Sequence, residues 1–482
     1  MKSLTIILLL SVASLSLAQP PDTLWTRTYG GNNEDYARSV QQTMDGGYVV
    51  AGSTSSFATG SADFYIVKTN SQGDILWTRA YGGNSYDYAW SVQQTFDGGH
   101  IVAGTTLSFG AGNADFYLVK TDSQGDTLWT HTYGGSRDDR AWSVQQTIDG
   151  GYIVARETSS FGFGSYDFYL VKTDSQGDTL WARSYGGNQD EYAYSVQQTT
   201  DDGYILAGIS YSFGAGGGDF YLVKTNSQGD TLWTRTYGGI DEDWGYSVKQ
   251  TMDGGYIVAG QTYCFSAQSG DFYVVKIDSR GDALWNHTYG GNYTERASSV
   301  QETVDGGYIV AGTTNSFGAG CGDFYLVKIN SQGDTLWTRT CGGSSWDFAF
   351  SVQQTFDGGY IVAGYTRSFG AGSEDFYLIK LGAESPVEPI SISLPTRHSL
   401  QPNYPNPFNP STRITYDLPS PSPVTLEVFD LLGRRLSTLA NGMHSAGSYS
   451  VLFDGSVLPS GLYFYRLQAG AFTQTQKMVL LK

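Results

Sequence analysis

A tryptophan recurs every 52 residues along most of the chain, and seven copies of the repeat keep this spacing without an insertion. Aspartates recur at the same interval. Self-similarity at a period of this length is typical of proteins that stack one supersecondary unit many times. The repeat therefore restricts the fold to a solenoid, a propeller or a related array. The tryptophans are Trp25, Trp77, Trp129, Trp181, Trp233, Trp285 and Trp337.

Each copy contains four short runs with β-strand character. In the second copy these are residues 90–95, 100–106, 115–122 and 127–133, which we term strands a to d. Asp-Gly-Gly separates a from b, and Ser-Gln-Gly-Asp separates c from d, as expected for tight turns. Strand c carries apolar side chains at both alternating positions, which is typical of a strand covered on both faces. Four strands per repeat predict a propeller blade.

The ends of the array favour a closed ring over an open stack. The array begins with a lone strand d at residues 23–29 and stops after the seventh strand c at residues 375–381. If these two strands pair, every sheet has four strands and the chain termini close the ring. We therefore predict an all-β protein in which residues 22–381 form a seven-bladed β-propeller closed by its N-terminal strand.

The first residues have the order of a secretory signal. A lysine at position 2 precedes an apolar run, and Ser16-Leu17-Ala18 resembles a small-residue cleavage site. A membrane anchor is the alternative, but the run is shorter than the roughly 20 apolar residues that a spanning helix needs. We expect a signal peptide at residues 1–18 and a mature chain without a transmembrane segment.

Residues 400–482 differ in composition from the repeats, since a proline-rich opening is followed by alternating strands. Six or seven short strands fit a small Ig-like β-sandwich, and a sugar-binding Ig-like module is one alternative. Residues 382–399 contain three prolines and are predicted to be a linker that a processing enzyme could reach.

The motifs of this region resemble the type A C-terminal sorting domain of the type IX secretion system. The matching segments are residues 400–412, Val428-Phe429-Asp430-Leu431-Leu432-Gly433, residues 459–465 and the final residues 477–482. The resemblance implies that the type IX machinery is a partner. It also implies passage across the outer membrane, usually with removal of this domain, and a location at the cell surface or outside the cell.

The segment from Val119 to Trp129 resembles two propeller motifs, the tryptophan-docking signature of quinoprotein-type blades and the Asp-box turn of sialidases. The spacing differs slightly from both. Because all seven copies carry the segment and an enzyme has one active site, the resemblance implies a structural clip between blades. It does not imply a pyrroloquinoline quinone site, and we expect no cofactor.

Charge and cysteine content exclude other classes of protein. A net charge of -18 would repel nucleic acid. Three cysteines and five scattered histidines show no zinc-ligand spacing, so no metal site is expected. A disulfide between Cys321 and Cys341 is predicted, because the hairpin of strands c and d in the sixth copy places them at the same end.

The d–a and b–c connections of a propeller emerge on one face, and this is where the copies vary. Carboxylates and aromatic groups around one pore suit a carbohydrate or peptide ligand. The alternative is that the acidic loops are a solvated rim and that the tryptophans pack inward between blades. The candidate ligand-binding residues are Trp90, Trp142, Trp244, Trp346, Asp87, Asp139, Asp243, Asp347, Arg140 and Arg296.

These patterns lead to two hypotheses of function. The first is a non-catalytic binding or adhesion scaffold for a carbohydrate or protein ligand. The second is a glycan-active hydrolase or lyase on a propeller. An enzyme needs groups that break the sevenfold pattern, and Arg156-Glu157 does so by replacing the usual Gly-Thr of strand b. Spacing alone identifies no nucleophile–base pair or carboxylate dyad.

Overall fold

The computed structural model describes residues 19–265, 269–384 and 395–482. The predicted signal peptide lies outside the described residues, as do residues 385–394 of the predicted linker. The chain divides near residue 385 into two compact units. In the described parts of the chain, no helix is long and apolar enough to cross a membrane.

The first unit contains seven antiparallel sheets of four strands among its described residues, as the repeat predicts. Six sheets follow chain order, and the seventh combines the last three strands of the unit with the first strand of the chain. The strands are β1 (Thr23–Tyr29); β2 (Asp35–Gln42), β3 (Tyr48–Thr54), β4 (Asp63–Thr69) and β5 (Ile75–Tyr81) in blade 1; β6 (Asp87–Gln94), β7 (His100–Thr106), β8 (Asp115–Thr121) and β9 (Thr127–Tyr133) in blade 2; β10 (Asp139–Gln146), β11 (Tyr152–Thr158), β12 (Asp167–Thr173) and β13 (Thr179–Tyr185) in blade 3; β14 (Glu191–Gln198), β15 (Tyr204–Ser210), β16 (Asp219–Thr225) and β17 (Thr231–Tyr237) in blade 4; β18 (Asp243–Gln250), β19 (Tyr256–Thr262), β20 (Asp271–Ile277) and β21 (Ala283–Tyr289) in blade 5; β22 (Glu295–Glu302), β23 (Tyr308–Thr314), β24 (Asp323–Ile329) and β25 (Thr335–Cys341) in blade 6; and β26 (Asp347–Gln354), β27 (Tyr360–Thr366) and β28 (Asp375–Leu381) in blade 7.

The two ends of the propeller meet in blade 7. Strand β1 pairs antiparallel with β28, with Tyr29 opposite Phe376. Blade 1 also contacts blade 7 directly, since the backbone N–H of Gln42 donates to Gln353 Oε1 at 2.6 Å. The predicted closure of the ring by its N-terminal strand is confirmed.

The apolar core lies between neighbouring blades. In strand β8, Phe116 and Leu118 pack against blade 3, whereas Tyr117 and Val119 pack against blade 1. Every residue of this strand is buried. The prediction that strand c is covered on both faces is confirmed, and the reason is that alternate side chains belong to two different inter-blade cores.

The repeated tryptophans of strand d join each blade to the next. Trp77 of blade 1 donates from Nε1 to the carbonyl of Ser123 in blade 2 at 3.2 Å. Two residues further on, Arg79 pairs with Asp126 at 3.2 Å. The c–d turn is therefore held by the strand d of the preceding blade, which is the structural role that the motif resemblance implied.

The aspartate of the a–b turn pairs with a buried lysine. Lys68 lies on strand c and pairs with Asp45 at 2.8 Å. Burial alone would raise the pKa of Asp45, but hydrogen bonds from Lys68, Thr43 and the Gly47 N–H outweigh it and lower this pKa to about 2. Each of the seven blades has this pair, so the turn aspartate is needed wherever the lysine is buried.

His100 breaks the repeat at a buried position where the other six copies have tyrosine. Burial lowers the pKa of His100 to about 4. An unfolded histidine binds a proton below about pH 6.5, so stability is lost as the pH falls from there to about 4. We expect the original chain to lose about 3 kcal/mol of its free energy of unfolding across this pH range, and His100→Tyr to abolish that loss. Urea unfolding at pH 7 and pH 4 measures the difference.

The matched variant for this prediction is Tyr152→His, which places a histidine at the equivalent position of blade 3. It should introduce the same sensitivity between pH 6.5 and 4. Equal pH dependence of the original chain and the His100→Tyr variant would contradict the prediction.

The second unit is a two-sheet β-sandwich. One sheet has the order β29-β30-β33 and the other β32-β31-β34-β35. Ile414, Val428 and Tyr465 belong to the shared core between the sheets. The seven strands agree with the number expected, while an Ig-like topology stays a prediction. The strands are β29 (Ser399–Leu400), β30 (Ser411–Leu418), β31 (Ser422–Phe429), β32 (Arg435–His444), β33 (Gly447–Asp454), β34 (Gly461–Ala469) and β35 (Phe472–Leu480).

The proline-rich opening of the sandwich lies beside its last strand. The N–H of Phe408 donates to the carbonyl of Val479 at 2.9 Å, and the N–H of Leu481 donates to the carbonyl of Phe408 at 3.0 Å. Asn403 donates from Nδ2 to Thr412 Oγ1 at 2.9 Å and so fixes the opening segment. The first and last motifs of the sorting-domain resemblance therefore lie side by side in the sandwich.

Candidate binding site at the channel mouth

Strand a of each blade lines a central channel. The backbone N–H of Val92 donates to Ser39 Oγ at 3.3 Å, and the N–H of Gln94 donates to Gln41 Oε1 at 2.6 Å. Serine and glutamine side chains thus link successive blades around a cavity of about 240 Å³. Lys249 occupies the place of glutamine in this ring, and burial lowers the pKa of its amine.

The d–a and b–c loops meet at one end of this channel, as expected for a propeller. The N–H of Ser55 in a b–c loop donates to the carbonyl of Glu34 in a d–a loop at 2.8 Å. In blade 2 the N–H of Leu107 donates to the carbonyl of Tyr86 at 2.9 Å. We term this end of the propeller the loop face.

A β-bulge in each strand a shapes the channel just below the loop face. In blade 1 the register shifts between Ala37 and Ser39, and the other six blades shift at the equivalent point. A bulge changes the direction in which the side chain of the extra residue points. We term the seven extra residues the mouth ring: Arg38, Trp90, Trp142, Tyr194, Tyr246, Ser298 and Phe350.

The mouth ring is a nearly continuous belt of aromatic contacts. Trp90 stacks on Trp142 with a centroid separation of 3.6 Å, and Tyr194 lies 5.4 Å from Trp142. The guanidinium of Arg38 completes the belt, since it lies 4.1 Å from the ring centre of Phe350 and 4.7 Å from that of Trp90. These side chains narrow the channel above the glutamine ring.

Two more arginines lie against this belt. The Arg156 guanidinium is 4.1 Å from the ring centre of Trp142, and that of Arg296 is 4.1 Å from Tyr246. Arg156 also pairs with Glu157, which is 1 % exposed. Burial raises the pKa of Glu157 despite its two arginine neighbours. A cavity of about 290 Å³ adjoins this cluster, lined by Tyr88, Trp90, Thr105, Leu107, Arg140, Ala141, Trp142 and Arg156.

The four predicted tryptophans all lie near the loop face, and each is partly exposed. Trp90 and Trp142 belong to the mouth ring. Trp244 lies two residues earlier in its strand than Tyr246, and their ring centres are 6.1 Å apart. Trp346 lies in a d–a loop and stacks on Phe348 at 5.5 Å. These four rings are therefore not fully buried between blades, as the alternative expected.

The predicted rim aspartates are instead buried, and this corrects their expected position. Asp87, Asp139, Asp243 and Asp347 each have an exposure of 0 %. Asp87 Oδ2 accepts hydrogen bonds from the Gly83 N–H at 2.8 Å and from Ser108 Oγ at 2.7 Å. Each of these aspartates likewise accepts the N–H of the second glycine of its d–a loop. They hold the loops together and cannot reach a ligand.

The two predicted arginines both lie at the mouth. Arg140 is exposed beside the 290 Å³ cavity, where it pairs with Asp138 at 3.5 Å, and Arg296 adjoins the mouth ring. Sequence reasoning did not select Arg38 or Lys249. The sequence does mark them, because Arg38 replaces an aromatic residue of strand a and Lys249 replaces a glutamine. Arg156 likewise replaces a glycine of strand b.

The predicted disulfide is not formed. Cys264, Cys321 and Cys341 are all free. Phe324 does lie opposite Cys341, as expected, but the Cys341 side chain packs against the core between blades 6 and 7. Cys321 is exposed in the preceding b–c loop. The two thiols share one end of the hairpin but belong to different environments, and burial raises the pKa of Cys341.

No group of three or more His, Cys, Asp or Glu side chains suited to a metal ion occurs in the parts of the chain that the structure describes.

Comparison with known proteins identifies the second unit more closely than the first. The family profile of the secretion system C-terminal sorting domain matches residues 403–481. The regulatory protein FlaEY of Caulobacter vibrioides is 22 % identical over 298 residues, which cover 53 % of this chain and 30 % of that protein. The chain therefore spans less than a third of the length of this curated relative.

Two solved structures are similar in outline. PorZ, an essential bacterial surface component of the type IX secretion system of Porphyromonas gingivalis, is 12 % identical with a TM-score of 0.43, covering 94 % of this chain and 60 % of PorZ. A puromycin hydrolase is 13 % identical with a TM-score of 0.46, covering 81 % of this chain and 60 % of the hydrolase.

The profile match at residues 403–481 agrees with the motifs read from the sequence and with the compact sandwich that contains them. Residues 403–481 are therefore a C-terminal sorting domain of type IX secretion, which implies that this propeller protein is exported to the cell surface or beyond it.

Proposed function

We propose that the protein is a non-catalytic surface receptor or adhesin that binds a glycan at its channel mouth. The observation that carries this proposal is the mouth ring, in which partly exposed aromatic rings lie next to arginines beside a cavity of about 290 Å³. Aromatic faces stack on sugar rings, and a few polar groups then fix the orientation of the ligand.

The distribution of variation among the copies supports the same conclusion. The turns at the other end of the propeller are nearly identical, because each holds a buried Lys–Asp pair. The mouth ring contains five residue types at seven equivalent positions. A rigid frame with a fixed Lys–Asp pair in every blade is suited to holding binding groups in place.

A glycan-active enzyme is the second hypothesis, and Glu157 is the residue that favours it. This carboxyl is buried beside the mouth cluster and has a raised pKa, which are properties of a general acid. A glycosidase also needs a partner carboxylate several ångströms away. Release of reducing sugar that is lost in Glu157→Gln would establish this hypothesis and contradict a non-catalytic role.

The proposal predicts that Trp142→Ala weakens glycan binding by about 1 to 3 kcal/mol, because it removes aromatic surface from the mouth and the ring against which Trp90 and Arg156 pack. A glycan array would identify the ligand, and calorimetric titration of the exported protein would measure the change. Phe96→Ala is the matched control, since Phe96 is an a–b turn residue at the opposite end and is 66 % exposed. Equal losses in both variants, or no binding to any glycan, would contradict the proposal.

A further inference from the structure

Two arginines of the mouth, Arg38 and Arg296, have a different environment from most arginines of strand d. Arg27, Arg79 and Arg235 of strand d each pair with an aspartate of the next blade. Arg38 and Arg296 contact aromatic rings, and neither has a carboxylate partner among the described residues. In a protein with a net charge of -18, cations without a carboxylate partner at one opening would favour a negatively charged ligand there.

We infer that the glycan bound at the mouth is acidic, and that Arg38, Arg156 and Arg296 bind the carboxylates of its uronic acid residues. The inference rests on the proposed function, because it specifies the class of glycan that the same site accepts.

Unused hydrogen-bond donors support an anionic ligand. Arg156 Nη1 and Arg296 Nε are buried and have no acceptor among the described residues. Buried polar groups in proteins are nearly always hydrogen-bonded, and an unpaired one destabilises the fold. A carboxylate offers two oxygens that match the fork of a guanidinium, so it would satisfy such donors.

The position of Arg156 is costly for the fold. The six other copies have glycine there, and a Cβ added to Gly52 would overlap the carbonyl oxygen of Tyr36 in strand a. The same overlap with strand a occurs at Gly104, Gly208, Gly260, Gly312 and Gly364. Arg156 therefore occupies a position at which the other blades leave no room for a side chain.

The geometry fits a sugar ring and a carboxylate together. The lining of the 290 Å³ cavity contains Trp90 and Trp142 together with Arg156 and the exposed Arg140. This volume is close to the lower end of the range of about 300 to 1,000 Å³ for small-molecule pockets. Burial and the neighbouring Arg296 lower the pKa of Arg38 to about 10, so its guanidinium stays charged at neutral pH.

The test compares acidic oligosaccharides with their methyl esters, which keep the sugar ring and remove the charge. Oligomers of galacturonic, glucuronic and mannuronic acid are titrated into the full exported protein, each beside its ester, with oligoglutamate as an acidic peptide. We expect at least one acid to bind about 10-fold more tightly than its ester. Arg156→Gly and Arg296→Gln should each remove most of this preference.

Arg156→Gly restores the residue of the other six copies, so its melting temperature should equal or exceed that of the original chain. Arg79→Gln removes a paired arginine from strand d and should leave the preference for acids intact. Equal binding of acids and esters would overturn the inference while leaving glycan binding established. Binding of oligoglutamate alone, or of no saccharide, would overturn the inference and the proposed function together.

Discussion

A variant that begins at Gly30 is expected to unfold far below the melting temperature of the full chain, because it lacks strand β1. Six residue pairs join β1 to β28, and their ladder hydrogen bonds contribute about 1 kcal/mol each. Tyr29 is 5 % exposed in the core between blades 7 and 1, and its loss costs about 2 to 3 kcal/mol. Together these losses approach the total free energy of unfolding of a typical domain, which is roughly 5 to 15 kcal/mol.

The contacts around β1 extend this effect to blade 6. Arg339 donates from Nη2 to Thr23 Oγ1 at 2.6 Å and also bonds the carbonyl of Pro21. A variant that begins at Pro21 keeps Pro21, Thr23 and β1, so it is the matched control and should melt within a few degrees of the full chain. Calorimetry of both variants measures the difference. A Gly30 variant as stable as its control would show that closure by β1 contributes little.

Deletion of residues 400–482 is expected to abolish export, leaving a folded propeller in the periplasm. The deletion removes the whole sorting domain, including the surface formed where Phe408 pairs with Val479 and Leu481. The propeller should keep its melting temperature, because it is a compact unit with its own apolar clusters between blades. Cell fractionation with an antibody against the propeller measures the location of the truncated protein.

A shorter deletion tests whether the assembled sandwich is what the machinery requires. Removing residues 472–482 takes away β35, whose Met478 and Leu480 are fully buried in the core of the sandwich, so export should fail in the same way. Arg156→Gly changes the propeller alone and should be exported normally. Normal amounts of either truncated protein at the surface would contradict the role of this domain.

Strand positions were predictable wherever turn residues bound them. The second copy was predicted to have strands at 100–106 and 127–133, and these are the bounds of β7 and β9. Strand a was predicted to begin at Trp90, but β6 begins at Asp87. The difference arises because Asp87 and Tyr88 pair with the end of strand b, and this pairing leaves no turn signal in the local sequence.

The candidate site was predictable in part. The loop face and its tryptophans follow from connectivity and from the positions that vary between copies. The aspartates were misplaced because the sequence shows their charge and not their partners. Asp139 is surrounded by the Gly135 N–H and Ser160, which come from two different loops. The prediction of a disulfide was wrong for a similar reason, since residues at the same end of a hairpin need not have their sulfur atoms within bonding distance.

The architecture of the propeller follows from the repeat pattern alone. A 52-residue period, four strand-like runs and a lone first strand admit a ring of seven sheets, because each hydrophobic strand must be covered by a neighbouring blade. The side chains that meet at the mouth depend on the three-dimensional packing of the blades. The bulge in each strand a turns one residue per blade into the channel, so Arg38 and Trp90, 52 residues apart, come within 4.7 Å. That distance depends on how the blades pack around a common axis, which no local pattern in the chain encodes.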